Sequence, residues 1–127
     1  MREIKFKLWD KNLNEMCKDK GYNKDGNWQI FIDINGKIYF WQAGNKVYFD
    51  CMAEDKFIFL QYTGLKDRND KEIYEGDIIK VSPLKDFKSV VEFDNGMFGY
   101  EDITNFFMID TNCEVIGNIY ENKELLK

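Results

Sequence analysis

From its first residues the chain alternates apolar and polar positions. Ile4, Phe6 and Leu8 fall on one side of an extended segment, with Glu3, Lys5, Lys7 and Trp9 on the other, as a half-buried strand requires. Asp10-Lys11-Asn12 is a turn, and residues 13–26 are polar and mixed, fitting a short helical turn or an irregular loop. Trp28 to Trp41 reads as a hairpin about Asn35-Gly36, the dipeptide of a type I′ turn. That turn sets Ile34 opposite Lys37, Ile32 opposite Tyr39 and Ile30 opposite Trp41 on one face. Phe31 opposite Phe40 and Asp33 opposite Ile38 form the other, so both faces are substantially apolar. Strands at about 46–51 and 57–62, set off by Gly44-Asn45 and Ala53-Glu54-Asp55, complete an antiparallel meander.

The second half changes rhythm. Gln61-Tyr62-Thr63-Gly64-Leu65-Lys66-Asp67 leads through a charged cluster to Ile73-Tyr74-Glu75-Gly76-Asp77, which turns into the strand Ile78-Ile79-Lys80-Val81. Gly64, Asp67, Gly76 and Asp77 are structural turn residues. Pro83 ends the strand and a long loop spans 82–87. Ser89 to Phe93 then meets Met97 to Tyr100 across Asn95-Gly96, and that register places Val91, Phe93, Phe98 and Tyr100 on a core face. Strands at Phe106 to Ile109 and Cys113 to Tyr120 follow, with a final helical turn in Glu121 to Lys127. The fold class is mainly β with minor helix: an N-terminal antiparallel meander, 1–60, packed on a C-terminal SH3-like small β-barrel, 61–127. No repeat, low-complexity tract or Pro/Gly/Ser linker marks the division.

Composition sharpens this picture. Aromatic residues make up 17% of 127 residues, enough for a sizeable core, while alanine is almost absent. Residues 1–62 carry ten basic and nine acidic side chains, and 63–127 carry eight and fourteen. A net charge of −5 disfavours nucleic acid, whose binders neutralise phosphates with Lys and Arg. No apolar run approaches membrane-spanning length and the start lacks a signal-peptide core, so a cytoplasmic protein without membrane contact is expected.

Candidate chemistry is sparse, for the chain contains no histidine and only two serines, Ser82 and Ser89. Cys17, Cys51 and Cys113 are odd in number and widely spaced, fitting neither a disulfide framework nor a zinc site. Cys113 reads as a small buried hydrophobe, lacking a base to activate it. Asp67-Arg68-Asn69-Asp70-Lys71 resembles the start of a calcium loop, but Glu72 and Ile78 stand where glycine and a bidentate glutamate are needed. The carboxylates at Glu54-Asp55 and Glu101-Asp102 have no spacing that forces convergence. No catalytic, cofactor or metal residue is therefore assigned.

Three blocks are more specific: Arg2-Glu3-Ile4-Lys5-Phe6-Lys7-Leu8-Trp9-Asp10-Lys11, then Gln61 to Asp67 with Lys71 to Ile78, then Glu114-Val115-Ile116-Gly117-Asn118-Ile119-Tyr120-Glu121-Asn122. Together, in this order, they resemble the YopX-like family of phage and prophage proteins. The resemblance implies a cytoplasmic protein of an infected or lysogenic bacterium with an SH3-like barrel in its C-terminal half. It brings no activity or catalytic residue.

The expected function is that of a non-enzymatic accessory protein acting by protein–protein contact, through self-association or on a host or phage protein. Trp9, Ile30, Tyr39 and Trp41 form the candidate interaction surface, since aromatic anchors on a sheet face suit an interface. The alternative is a single-stranded nucleic-acid-binding small barrel that stacks bases on such rings, although it lacks a basic groove.

Overall fold

The computed structural model describes residues 3–17, 28–36, 38–42, 47–50, 57–82 and 85–127, with only the backbone for 28–32, 38–42, 47–50 and 85. Among them are strands β1 (Phe6–Asp10), β2 (Glu15–Met16), β3 (Trp28–Ile32), β4 (Ile38–Gln42), β5 (Val47–Asp50), β6 (Phe57–Lys66), β7 (Glu72–Tyr74), β8 (Asp77–Ser82), β9 (Lys85–Val90), β10 (Glu92–Asp94), β11 (Met97–Glu101), β12 (Phe106–Met108) and β13 (Glu114–Asn118). A single 3₁₀ turn, Lys123–Leu126, is the helical element seen among these residues, as read for the C-terminal segment. The fold is mainly β and antiparallel, compatible with the small-barrel expectation.

The chain divides into two units. Leu8–Phe59 is one; Met1–Lys7 and Leu60–Lys127 form the other. In the first, Asp10 ends β1 and its carboxylate accepts the N–H groups of Asn12 and Leu13 at 2.8 and 3.0 Å, making the turn that its sequence announces. The chain returns as β2, where Trp9 pairs with Met16 and Asp10 with Glu15. Residues 18–27, Pro83 and the separators at 43–46 and 51–56, with Cys51, lie outside the described residues.

The sheet β3-β4-β5 overturns the expected hairpin register. Ile32 pairs with Ile38, Phe31 with Tyr39, Ile30 with Phe40 and Gln29 with Trp41, one step from the pairing that Asn35-Gly36 implies. The cause is local. The Asp33 carboxylate accepts the Asn35 N–H at 2.8 Å, and the Asp33 carbonyl accepts the Gly36 N–H at 3.0 Å. Ile34 and Asn35 thus become the corners of the turn, and only Gly36, at φ +81°, takes the left-handed conformation in it. A longer loop moves every rung by one.

In the other unit the core consists of Ile73, Ile79, Val91, Ile109, Cys113 and Val115, with Val81, Phe98 and Tyr100 packed against it. Ile79 and Val81 come from β8, Val115 from β13, Phe98 and Tyr100 from β11 and Ile73 from β7, while Val91, Ile109 and Cys113 stand just outside strand ends. The expected 82–87 loop is instead largely strand: β9 pairs back on β8, with Ser82 opposite Lys85. Extended β-rich sequence on both sides of Pro83 makes a hairpin where the proline alone suggested a loop. Val91 breaks the expected 89–93 strand, because its N–H donates to the Asp77 carbonyl at 2.8 Å and its carbonyl accepts the Gly76 N–H at 2.9 Å. β6 runs to Lys66, past the expected end, with a register shift between Tyr62 and Lys66 where Gly64 has φ +86°. Gly64 is a bulge inside a strand, not a turn between strands.

Candidate interaction surface

The hairpin β10-β11 follows its sequence. Asn95 and Gly96 both have positive φ, and Phe93 pairs with Phe98, Asp94 with Met97 and Glu92 with Gly99. β12 adds the rungs Gly99–Met108, Tyr100–Phe107 and Glu101–Phe106. Directly opposed residues share a face and neighbours along a strand alternate, so these six pairings sort the sheet completely.

One face carries Phe93, Phe98, Tyr100 and Phe107. Phe93 and Phe98 meet edge to face with centroids 4.9 Å apart, and Tyr100 stacks on Phe107 at 5.7 Å. Phe98 and Tyr100 lean into the core, but Phe93 is 54% exposed. The expectation of a wholly buried face therefore fails at its end: Phe93 sits on β10, at the sheet's edge, where no further strand pairs among the described residues.

The opposite face carries Glu92, Asp94, Met97, Gly99, Glu101, Phe106 and Met108. Its centre is apolar, open at Met108, which is 73% exposed, and half-buried at Met97 and Phe106, and the three carboxylates around it are exposed. Gly99 is what lets Phe106 lie across the sheet. A Cβ there would stand 2.7 Å from the Phe106 ring and 2.2 Å from the Phe107 carbonyl oxygen, so no larger residue fits under that ring. Beside this sheet a cleft of about 460 Å³ is lined by Val81, Phe87, Tyr100, Asp102, Ile103 and Thr104. Ile103 is 98% exposed at the tip of the β11–β12 loop. The Asp102 carboxylate holds that tip by accepting the Thr104 and Asn105 N–H groups at 2.7 and 2.9 Å.

The residues singled out in the sequence fall elsewhere. Trp9 is buried, at 5% exposure, so it is a packed ring and not an exposed anchor. Ile30 shares its rung with Phe40, while Trp41 lies between Gln29 and Tyr48 and Tyr39 between Phe31 and Asp50. The side chains of these three lie outside the described residues. The Asp67 carboxylate ties its loop together, taking the Asn69 and Lys71 N–H groups on Oδ1 and the Val115 N–H on Oδ2 at 2.8–2.9 Å. Burial raises its pKa, but these three donors outweigh that and hold it below the usual range. Gly76 and Asp77 lie where β7 turns into β8. The Asp77 carboxylate accepts the Tyr74 N–H at 2.8 Å, and burial pushes its pKa up to about 6.

Cys113 is buried at 1% exposure, and desolvation pushes its thiol up to about 11, which leaves it protonated near neutrality. Among the described residues no group of His, Cys, Asp or Glu is arranged to hold a metal ion. No helix among them is long and apolar enough to cross a membrane.

In the sequence the open sheet face is inconspicuous, because Met97, Phe106 and Met108 look like ordinary alternation. The signal was Gly99, a glycine in a strand interior beside two aromatic-bearing strands.

Among curated proteins none matches the chain. Among solved structures, the crystal structure of protein EF1440 from Enterococcus faecalis is similar at 27% identity and TM-score 0.63, with all of both chains covered. The X-ray structure of protein YopX from Bacillus subtilis is similar in fold at 24% identity and TM-score 0.60, again over both whole chains. The family model described as YopX protein matches residues 5–127, and the chain belongs to the YopX family.

Proposed function

We propose that this is a non-enzymatic accessory protein of phage or prophage origin that works in the bacterial cytoplasm by protein–protein contact, through the open face of β10-β11-β12. One observation carries the proposal: an apolar centre of Met97, Phe106 and Met108, seated on an obligatory glycine and ringed by exposed carboxylates. Interfaces are built this way, with an apolar centre inside a polar rim. Phe93 and Ile103 extend the exposed apolar surface of the same unit. Single-stranded nucleic acid is a poorer occupant, because rings among carboxylates repel the phosphates that would bring bases to them.

Selection of random peptides on the immobilised protein tests the contact. Selected peptides should bind the protein in solution, and Met108→Glu, which places a charge at the open centre, should weaken them by about tenfold or more. Failure to recover any binding peptide, or binding that ignores Met108→Glu in a folded variant, would remove the proposal.

A further inference from the structure

We infer that the occupant of this face is a cationic protein segment, bearing Arg or Lys beside apolar side chains, which lies across Phe106 and Met108 between Glu92, Asp94 and Glu101. The inference rests on the contact function proposed above and names the chemistry of the partner. Between Asp86 and Asp110 the sequence holds six carboxylates and one lysine, Lys88, a balance of −5. That equals the net charge of the whole chain, so the remaining residues sum to neutrality. The protein's charge is concentrated in the segment that builds the open sheet.

These carboxylates are also unspent. Elsewhere in the same unit Lys5 pairs with Glu72 and Arg68 with Glu114, at 2.5 and 2.7 Å. Glu92, Asp94 and Glu101 are exposed and form no ion pair among the described residues. A second copy of this chain would bring the same sign of charge to the contact, and nucleic acid would bring phosphates. A guanidinium group satisfies both halves of the surface at once: its flat face stacks on an aromatic ring, and its edge donates paired hydrogen bonds to a carboxylate. Glu101 stands on the Phe106 rung, and Glu92 on the rung of Gly99 and Met108, so carboxylates lie beside the apolar centre on two of the three strands.

Fluorescence anisotropy with three labelled octapeptides, alternating Phe with Arg, with Ser or with Glu, tests this. The Arg peptide should bind about tenfold or more tightly than the other two, and should weaken by about tenfold between roughly 20 and 200 mM salt. The folded double variant Glu92→Lys/Glu101→Lys should lose that binding, while Glu15→Lys/Glu124→Lys, with the same change in net charge, should keep it. If the Ser or Glu peptide binds as tightly, or the control variant loses binding equally, the cationic assignment fails and the contact surface stands. If no peptide binds at about 100 µM and the random selection is also empty, the contact proposal falls with it.

Discussion

Asp67 shows how one carboxylate can organise a loop that looks, by composition, like a ligand site. Its side chain accepts three backbone N–H groups, two from its own turn and one from Val115, forty-eight residues away. The Arg68 N–H adds a bond to the Cys113 carbonyl at 3.0 Å, and Asp70 takes positive φ to complete the turn. Both Asp67 oxygens that a cation would need are taken by backbone N–H groups. Asp67→Ala leaves three N–H groups without their acceptor and should cost about 2–4 kcal/mol in urea unfolding. Asp67→Asn should cost less, since its oxygen can still hold the turn, but its NH₂ then faces the Val115 N–H. Equal losses for the two variants would mean that the link to Val115, and not the turn, is all that matters.

At the scale of elements, two identical dipeptides behave differently, and this marks how far the fold was legible. Asn95-Gly96 gives the tight hairpin expected of it, with both residues at positive φ, whereas Asn35-Gly36 does not. The difference lies one residue upstream. Asp33 stands two positions before Asn35 and captures its N–H, drawing Ile34 into the corner, while Asp94 is adjacent to Asn95 and pairs with Met97 in the ladder. Side-chain capture of a backbone N–H thus competed with the intrinsic turn preference and prevailed. Strand existence and antiparallel pairing were readable from alternation; the register of β3-β4, the β8-β9 hairpin and the exposure of Phe93 depended on such local bonds and on where a sheet ends. The open face of β10-β11-β12 was hidden for the same reason, since alternation does not say which face meets the core. Gly99 is the element's weakest point. Gly99→Ala forces its Cβ against Phe106 and the Phe107 carbonyl, and should cost about 1–3 kcal/mol by thermal unfolding while weakening peptide binding. A variant with unchanged stability and binding would show that Phe106 does not need to lie across the sheet.

For the molecule as a whole, two buried carboxylates in one unit set opposite limits on pH. Asp67 has a lowered pKa in the folded state, so its contribution is complete above the ordinary carboxylate value and is lost as the pH falls below it. Asp77 behaves in reverse. Its folded pKa of about 6 exceeds the ordinary 3.8, chiefly because burial disfavours the charged form. Below about pH 4 both folded and unfolded chains hold that proton and Asp77 costs nothing. Between about 4 and 6 the unfolded chain ionises while the folded chain keeps its proton, so stability declines, by about 2–3 kcal/mol in all, and it is flat above that. Urea unfolding across this range should therefore show a loss of stability towards neutral pH, against the usual rise for proteins whose carboxylates are paired. Asp77→Asn retains an oxygen for the Tyr74 N–H and has no proton to lose, so it should flatten the profile and gain most above pH 6. A wild-type profile that rises from pH 4 to 7, or an Asn variant that keeps the wild-type slope, would place the controlling group elsewhere than Asp77.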